Sequence, residues 1–355
     1  MQEEVGLVHG GQAPPLAHDY SAPANPLGPP SFLGDVVEDC VSRRPFLRYP
    51  SPSYRELREA IAGFHGAEAG EVVVVNGSAE ALALLPLLLR ARRLVVIEPC
   101  FGDHGVQARS QGVELHRVLV GLGDYSITLP APEEVARLAA ENALVVLSRP
   151  NNPVGYLASS DYVYELATRL SRRRSLLVLD EAFIDLAPGA ERLGPGDGLV
   201  VVRSLTKTFA TPGLRLGYVL AEQGLARRLR LALQAWPVGS LEACIYTELL
   251  LDERSRYYVA RARMLVEDEN PRLTALLRGL GLRVYPSQAP FLLVRHASLP
   301  HPLLQERLMR HGVYVRNASS FYGLDETFSR VSVKTPGEND VLIKAFSRVL
   351  GGSDA

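Results

Sequence analysis

The sequence predicts an α/β fold, in which a large domain with a mostly parallel, helix-covered sheet precedes a smaller α+β domain. Three observations predict it. Short apolar runs alternate with helix-like stretches from residue 72, this rhythm changes near residue 225, and polar motifs directly follow the runs. Apolar runs of this length suit strands buried on both faces, and strands that alternate with helices are typical of a parallel sheet.

The first 50 residues are rich in proline and glycine, which predicts an extended arm and not a packed unit. Helical spacing of apolar residues then predicts a helix over 54–65. We assign residues 1–45 to an arm that packs on the smaller domain or on a partner subunit.

Six apolar runs predict the strands of the large domain, which we assign to residues 46–250. The runs are 72–75, 94–97, 144–147, 176–179, 199–202 and 216–220. Helical periodicity predicts helices between several of them, at 79–90, 132–141 and 160–173. Residues 251–355 form the predicted smaller domain, where strand-like and helix-like stretches follow a long helical region.

Composition excludes several classes of protein. The chain has 355 residues, of which 47% are hydrophobic and 22% charged, and its net charge is −1. This balance supports a sizeable core and argues against a nucleic-acid or membrane binder. Cys40, Cys100 and Cys244 are widely spaced, which predicts neither a disulfide framework nor a metal site and fits a reducing cytoplasm.

Lys207 is the most informative residue of the chain. The only other lysines of the chain are Lys334 and Lys344, and arginine supplies the remaining positive charge. An amine can lose its proton and attack a carbonyl, whereas a guanidinium cannot. A solvated surface lysine is the alternative interpretation, which the polar motif around Lys207 disfavours.

Residues suited to a phosphate lie after the first and fifth runs. A helix start with free amides binds a dianion, as do hydroxyls and an arginine. These residues are Gly77, Ser78, Ala79, Ser204, Thr206 and Arg215. An ordinary strand–turn–helix is the alternative for the first three.

Three further residues follow strand ends. Phe101 can stack on a planar ligand, Asn152 belongs to an asparagine pair held between prolines, and Asp180 ends a buried run. A buried carboxylate needs a cation, although Asp180 could also cap a helix. With Lys207 and the phosphate-binding residues, this set indicates a flat, cationic heteroaromatic aldehyde with a phosphate, namely pyridoxal phosphate.

Several motifs resemble those of a known enzyme group. Asn-Asn-Pro-Val-Gly at 151–155, Asp-Glu-Ala-Phe at 180–183 and Ser-Leu-Thr-Lys at 204–207 resemble the fold-type I pyridoxal-phosphate enzymes of the aspartate aminotransferase superfamily. The resemblance covers nearly the whole chain and implies a seven-stranded sheet. Within this group, His-Gly-Gly at 9–11 and Asp-Tyr-Ser-Ala at 19–22 resemble the threonine-phosphate decarboxylases of cobalamin biosynthesis, and histidinol-phosphate aminotransferases are close relatives.

The resemblance implies roles for the cofactor-binding residues. Lys207 would hold the cofactor covalently, Asp180 would pair with its ring nitrogen, and Asn152 would bond its ring hydroxyl. Phe101 would stack on the ring, and the residues suited to a phosphate would hold the cofactor phosphate. Tyr49 would reach the phosphate of the neighbouring subunit in a homodimer.

The resemblance also implies a small phosphorylated amino acid as the substrate. Arg330 would bind its α-carboxylate, and Arg316 would face its phosphate with help from His9. Asn152 would also line the substrate site. Without the motif match, Arg316 and Arg330 would be taken for surface residues.

The activity implied is decarboxylation of L-threonine O-3-phosphate by a cytoplasmic homodimer. Two alternatives stay open: an aminotransferase acting on histidinol phosphate or a related amino acid, and a non-catalytic regulator on the same fold. Phe183 favours the decarboxylase, because many relatives that transaminate have tyrosine there.

Overall fold

The computed structural model describes residues 9–102, 104–296 and 299–351. The strands, in chain order, are β1 (His18–Asp19), β2 (Val72–Val75), β3 (Arg93–Glu98), β4 (Glu114–Leu119), β5 (Gly121–Leu122), β6 (Ile127–Thr128), β7 (Ala143–Ser148), β8 (Leu176–Asp180), β9 (Leu199–Ser204), β10 (Gly217–Leu220), β11 (Arg283–Val284), β12 (Phe291–Arg295), β13 (Val313–Tyr314), β14 (Arg316–Asn317) and β15 (Phe328–Ser332).

The helices flank these strands and become longer after β10. They are α1 (Leu33–Ser42), α2 (Arg55–His65), α3 (Gly77–Leu88), α4 (His104–Gln111), α5 (Pro132–Ala139), α6 (Ser160–Ser171), α7 (Leu205–Thr208), α8 (Gln223–Ala232), α9 (Ser240–Leu251), α10 (Glu253–Gly279), α11 (His301–Met309) and α12 (Pro336–Leu350). No helix of the described residues is long and apolar enough to cross a membrane.

The central sheet has seven strands in the order β2-β10-β9-β8-β7-β3-β4. Only β10 runs antiparallel to its neighbours, and the other pairs are parallel. The predicted α/β class with a mostly parallel, seven-stranded sheet is therefore confirmed. Helices separate most consecutive parallel strands, because parallel neighbours need a crossover connection.

Both faces of this sheet are covered. Along β3, Val95 and Ile97 belong to an apolar cluster that includes residues of α2, α5, α6 and α9, whereas Leu94 and Val96 belong to a second cluster that includes residues of α3, α4 and α8. Burying each such side chain stabilises the fold by about 1.5–3 kcal/mol. Double burial explains why these strands read as continuous apolar runs.

The sheet contains one strand that apolar runs did not predict. β4 lies at the sheet edge and pairs only with β3 in the described residues. Its sequence, Glu-Leu-His-Arg-Val-Leu, mixes polar and apolar side chains, and all six remain at least partly exposed. An edge strand needs no continuous apolar run, so the expected signal was missing.

The predicted arm is only partly extended. β1 pairs with β13, which ties the start of the described chain to the second sheet. Residues 33–42, however, form α1, whose Val36 and Cys40 are buried in the main core. The expectation that the first 50 residues contain no packed unit is therefore wrong.

The expectation of no disulfide is also wrong. Cys40 of α1 and Cys244 of α9 form a disulfide, and Cys100 is free and buried. Their separation of 204 residues hid the pairing, because only the packing of α1 on α9 brings the two together. Because two of the three cysteines are paired, cysteine usage no longer indicates a reducing compartment.

A second, smaller sheet carries Arg316 and Arg330, the two arginines predicted to bind substrate. Its order is β11-β12-β15-β14, with antiparallel neighbours throughout. Leu292 and Val294 of β12 and Val331 of β15 pack in a separate apolar cluster that includes Phe346 of α12. The apolar side of α12 thus packs against this sheet.

Candidate active site

Three predicted residues lie at one edge of the central sheet. β7, β8 and β9 are parallel neighbours, so their carboxyl ends meet at the same edge. Asp180 is the last residue of β8, Asn152 follows β7, and Lys207 lies in α7 directly after β9. Strand order therefore brings together residues that are far apart in sequence.

Asp180 is held where a carboxylate is poorly solvated. It is 3% exposed, and the backbone N–H of Ala182 donates to its Oδ1 over 3.1 Å. Burial raises the pKa of Asp180 to about 6, although the Ala182 N–H and the nearby Lys207 favour the charged form. A cation placed against this carboxylate would restore its charge.

Lys207 shows the opposite shift. Burial, followed by the charges of Arg330 and Arg215, lowers the pKa of Lys207 to about 8. A larger share of this amine is therefore neutral near pH 7 than in an exposed lysine, which makes it a better nucleophile and base. Its backbone oxygen accepts from Asn25 N over 3.0 Å, so the arm segment is anchored beside it.

An anion site lies where α3 begins. Gly77 opens this helix with a φ of +73°, a conformation that favours glycine. A Cβ on Gly77 would lie 2.7 Å from Nη2 of Arg215, so this guanidinium lies directly over the turn. The first-turn amides of Ser78 and Ala79 and the Arg215 charge suit a phosphate dianion.

Sheet register brings two hydroxyls to the same place. Gly217 of β10 pairs with Val75 at the end of β2 on one side and with Ser204 at the end of β9 on the other. The hydroxyls of Ser204 and Thr206 lie 2.7 Å apart. The helix start, the hydroxyls and Arg215 therefore flank one position on β10.

Asn152 connects this edge to the smaller sheet. Its Oδ1 accepts a hydrogen bond from Nη1 of Arg330, and Arg330 Nη2 donates to the backbone oxygen of Ser21 over 2.6 Å. The Asn152 Nδ2 makes no hydrogen bond to the described residues. This orientation leaves an amide donor for a ligand oxygen.

Arg316 and Arg330 form a pair of buried cations. They lie opposite each other on β14 and β15 and are 6% and 4% exposed. Arg316 donates to Ser320 Oγ over 2.6 Å. Burial and then Arg316 lower the pKa of Arg330 to about 9, although the charge of Asp19 opposes this shift. A ligand with two anionic groups would match the pair.

Phe101 follows the end of β3, and the ring of His9 lies next to it. Phe101 is half-buried, and its ring centroid lies 5.9 Å from that of His9. Gly11 N donates to Ser21 Oγ, which fastens the described start of the arm near the oxygen that Arg330 binds. The arm thus brings His9 to the ring predicted to stack on the cofactor.

Tyr49 lies on the protein surface and is 79% exposed. It stacks on Trp236 with ring centroids 4.4 Å apart, and the indole N–H of Trp236 donates to Pro50 O over 3.0 Å. Sequence reasoning missed Trp236, although it is the chain's only tryptophan. An exposed tyrosine held in this way is available to a second molecule.

Sequence reasoning also missed a buried ionic network. Glu181 accepts from Arg149 through one carboxylate oxygen and from Arg203 through the other, over 2.7–2.9 Å. All three are at most 2% exposed. They flank the motifs at the ends of β7, β8 and β9, so the network fixes these strand ends to one another. The sequence offered one signal for this network, because Arg149, Glu181 and Arg203 each lie within two residues of the end of an apolar run.

Comparisons with known proteins agree with this architecture. The family profile described as aminotransferase class I and II matches residues 26–346. The chain is 31% identical to the threonine-phosphate decarboxylase of Salmonella typhimurium, covering 96% of this chain and 93% of that one. It is likewise 31% identical to the histidinol-phosphate aminotransferase of Thermococcus gammatolerans, covering 92% and 90%.

Two further comparisons concern pathway and cofactor. The adenosylcobalamin biosynthesis bifunctional protein CobDQ of Leptospira interrogans is 28% identical, and the match covers 94% of this chain but only 39% of that longer protein. The structure of histidinol-phosphate aminotransferase from Sinorhizobium meliloti in complex with pyridoxal 5′-phosphate has a TM-score of 0.80 at 21% identity, covering 93% and 90% of the two chains.

Proposed function

The chain belongs to the class I and II aminotransferase family and uses pyridoxal phosphate, and from this premise we propose that it decarboxylates L-threonine O-3-phosphate. The products would be CO2 and (R)-1-aminopropan-2-ol O-phosphate, an intermediate of cobalamin biosynthesis. The observation that carries the proposal is the buried pair Arg316 and Arg330, placed beside Asn152 and close to Lys207. A substrate with a carboxylate and a phosphate supplies an anion for each guanidinium.

The described residues fit the cofactor. Asp180 would face the ring nitrogen, because a protonated nitrogen supplies the cation that this buried carboxylate lacks. Asn152 would donate through Nδ2 to the ring hydroxyl, and Phe101 would stack on the ring. The helix start at Gly77 would hold the phosphate, together with Ser78, Ala79, Ser204, Thr206 and Arg215. Lys207 would be the covalent attachment point.

The protein's own groups would direct the reaction. Pyridoxal phosphate, when bound, supplies an electron sink for a bond broken at the substrate Cα. Arg330 would hold and orient the carboxylate that is lost. As CO2 leaves, a proton must reach Cα, and Lys207 would deliver it. A pKa near 8 suits an amine that gives and takes protons.

Phe183 supports decarboxylation over transamination. Its ring packs edge-on against Phe291, with centroids 5.1 Å apart, and Lys207 Nζ lies 5.7 Å from its centroid. A tyrosine there would offer a hydroxyl to the cofactor ring, which Phe183 does not. The CobDQ and Salmonella relatives also favour this assignment.

A histidinol-phosphate aminotransferase is the second candidate, because relatives of that name are equally similar. It would use the same arginines for its phosphate. A non-catalytic regulator is the third and weakest, since Lys207, Asp180 and Asn152 are all present.

Incubation of the holoenzyme with L-threonine O-3-phosphate separates these candidates. We expect stoichiometric CO2 and an amine product, measured by CO2 release and mass spectrometry. A keto product with pyridoxamine phosphate would identify an aminotransferase. If neither L-threonine O-3-phosphate nor histidinol phosphate gives a product, the regulator is favoured.

We also propose that the working form is a cytoplasmic homodimer in which Tyr49 reaches the partner's cofactor phosphate. Its exposure supports this proposal, as does the neighbouring exposure of Phe46, Leu47 and Trp236. Exposed apolar groups that cluster in this way are typical of protein interfaces.

A further inference from the structure

One aromatic ring contacts both substrate-side arginines. The guanidinium carbons of Arg316 and Arg330 lie 5.7 and 5.8 Å from the ring centroid of Phe321, which is itself only 7% exposed. Both distances fall within the range at which a cation is attracted to the face of an aromatic ring. No sequence motif pointed to Phe321.

The ring lies where two like charges oppose each other. Arg316 and Arg330 are register partners on adjacent strands, and like charges at such positions destabilise a sheet. The negative face of an aromatic ring attracts each guanidinium and so offsets part of their repulsion. Phe321 therefore helps to hold both cations in place.

The backbone around Phe321 is itself fixed. Phe321 N donates to Ala318 O, and Leu324 N donates to Phe321 O, over 3.0 and 3.1 Å. Ser320 in the same loop accepts the hydrogen bond from Arg316. The loop between β14 and β15 thus holds Arg316 by a hydroxyl and by a ring.

Arg330 has anchors that do not depend on this loop. It donates to Asn152 and Ser21, and its guanidinium also lies 5.3 Å from the ring centroid of Phe291. Loss of the Phe321 ring would leave these contacts intact. The carboxylate subsite should therefore survive a change at Phe321, whereas the separation of the two guanidiniums would lose the one ring that contacts both of them among the described residues.

We propose that Phe321 is a specificity-determining positioning residue, which sets the separation of the two guanidiniums and so favours substrates with a phosphate as well as a carboxylate. The inference rests on the proposed function, in which Arg316 binds the phosphate and Arg330 the carboxylate. It adds a residue that need not touch the substrate.

The test compares two ligands that differ only in the phosphate. Rapid mixing of the holoenzyme with L-threonine or L-threonine O-3-phosphate gives dissociation constants from the first change in visible absorbance. Phe321→Leu should lower the preference for the phosphorylated ligand about 10-fold, as expected from losing one or two cation–π contacts. The affinity for L-threonine should change little.

Phe328→Leu is the matched control. Phe328 is also 7% exposed and belongs to the same apolar cluster, but it lies under Arg295 at 5.2 Å and not under the substrate-side arginines. This variant should keep the wild-type preference. Phe321→Tyr, which keeps the ring face, should keep it too.

Two results would overturn the inference: an unchanged preference in Phe321→Leu, or an equal loss in Phe328→Leu or Phe321→Tyr. If Phe321→Leu does not fold, Phe321→Met removes the ring with a more flexible side chain, and its preference decides in the same way. The binding ratio does not depend on which product forms, so an aminotransferase product would refute the proposed function while leaving this test valid.

Discussion

Asp180, Lys207 and Arg330 are charged groups in surroundings that disfavour charge. Burial raises the pKa of the carboxyl and lowers the pKa of both bases. The charged forms of Asp180 and Arg330 therefore destabilise the fold until a bound ligand offers each of them the opposite charge. The charged form of Lys207 does so until the amine is linked to the cofactor. The empty site should therefore cost the fold stability that the bound ligands restore.

Asp180→Asn should stabilise the apoenzyme at pH 8 and not at pH 4. The pKa of Asp180 is about 6 when folded and 3.8 ordinarily, so the folded state binds the proton more tightly. Its contribution to the free energy of unfolding therefore falls as pH rises from about 4 to 6, by on the order of 3 kcal/mol. Asparagine carries no charge and removes this loss.

Urea unfolding of the apoenzyme at both pH values measures the effect. Asp197→Asn, at an exposed position, is the control and should change neither value. A gain for Asp180→Asn that is the same at pH 4 and pH 8 would mean that charge burial is not its cause.

Lys207→Ala should abolish the visible absorbance of the lysine-bound cofactor. The variant retains the phosphate cradle, so some free pyridoxal phosphate can still bind, but without a covalent bond to the protein. Absorbance spectra after gel filtration measure this loss. Lys344→Ala, at an exposed lysine, should keep the band. A persistent band in Lys207→Ala would assign the attachment to another amine.

At the scale of the elements, α1 and α9 are joined by a disulfide. Cys40 and Cys244 link them covalently, and Arg43, which caps α1, pairs with Glu248 of α9. Arg43 is half exposed, so this ion pair contributes little. The disulfide closes a long loop and should dominate the stability of the contact.

Reduction should lower the free energy of unfolding by about 2–4 kcal/mol, because it restores conformational freedom to the unfolded chain. Unfolding curves with and without dithiothreitol measure it. Cys244→Ser should show no response to the reductant, and Cys100→Ser should respond like the wild type. Identical wild-type curves in both conditions would mean that the bridge does not form in solution.

At the scale of the whole molecule, the candidate site draws on both sheets and on the arm. Arg330 comes from the second sheet, yet it bonds Asn152 beside the central sheet and Ser21 of the arm. Tyr49, another proposed cofactor ligand, lies exposed on the surface and stacks on Trp236. Its proposed role requires a second copy.

Mixing Tyr49→Ala and Lys207→Ala chains tests that role. In a mixed dimer, the chain that keeps Lys207 receives Tyr49 from its partner, so one site is complete. Random assortment should restore about a quarter of the wild-type sites, which is the share expected for a symmetric dimer. Cofactor retained at limiting pyridoxal phosphate is the measurement. Retention equal to the sum of the separate variants would place Tyr49 outside the partner's site.

Sequence patterns could predict the doubly buried strands and the polar residues that follow them. Continuous apolar runs gave β2, β3 and β7 to β10, because burial on both faces leaves no room for polar side chains. The edge strand β4 was missed because solvent tolerates its charges. α1 was missed because proline and glycine nearby masked a helix whose burial depends on α9.

By itself, the sequence determined that a lysine, a carboxylate, an amide and the residues predicted to bind a phosphate follow strands of the central sheet. Their order is local chemistry, written within a few residues of each strand end. Only the tertiary structure decided that Glu181 joins Arg149 to Arg203, that Cys40 meets Cys244 and that Phe321 lies beside two arginines. Such contacts depend on packing between distant segments, which leaves no periodic signal in the chain.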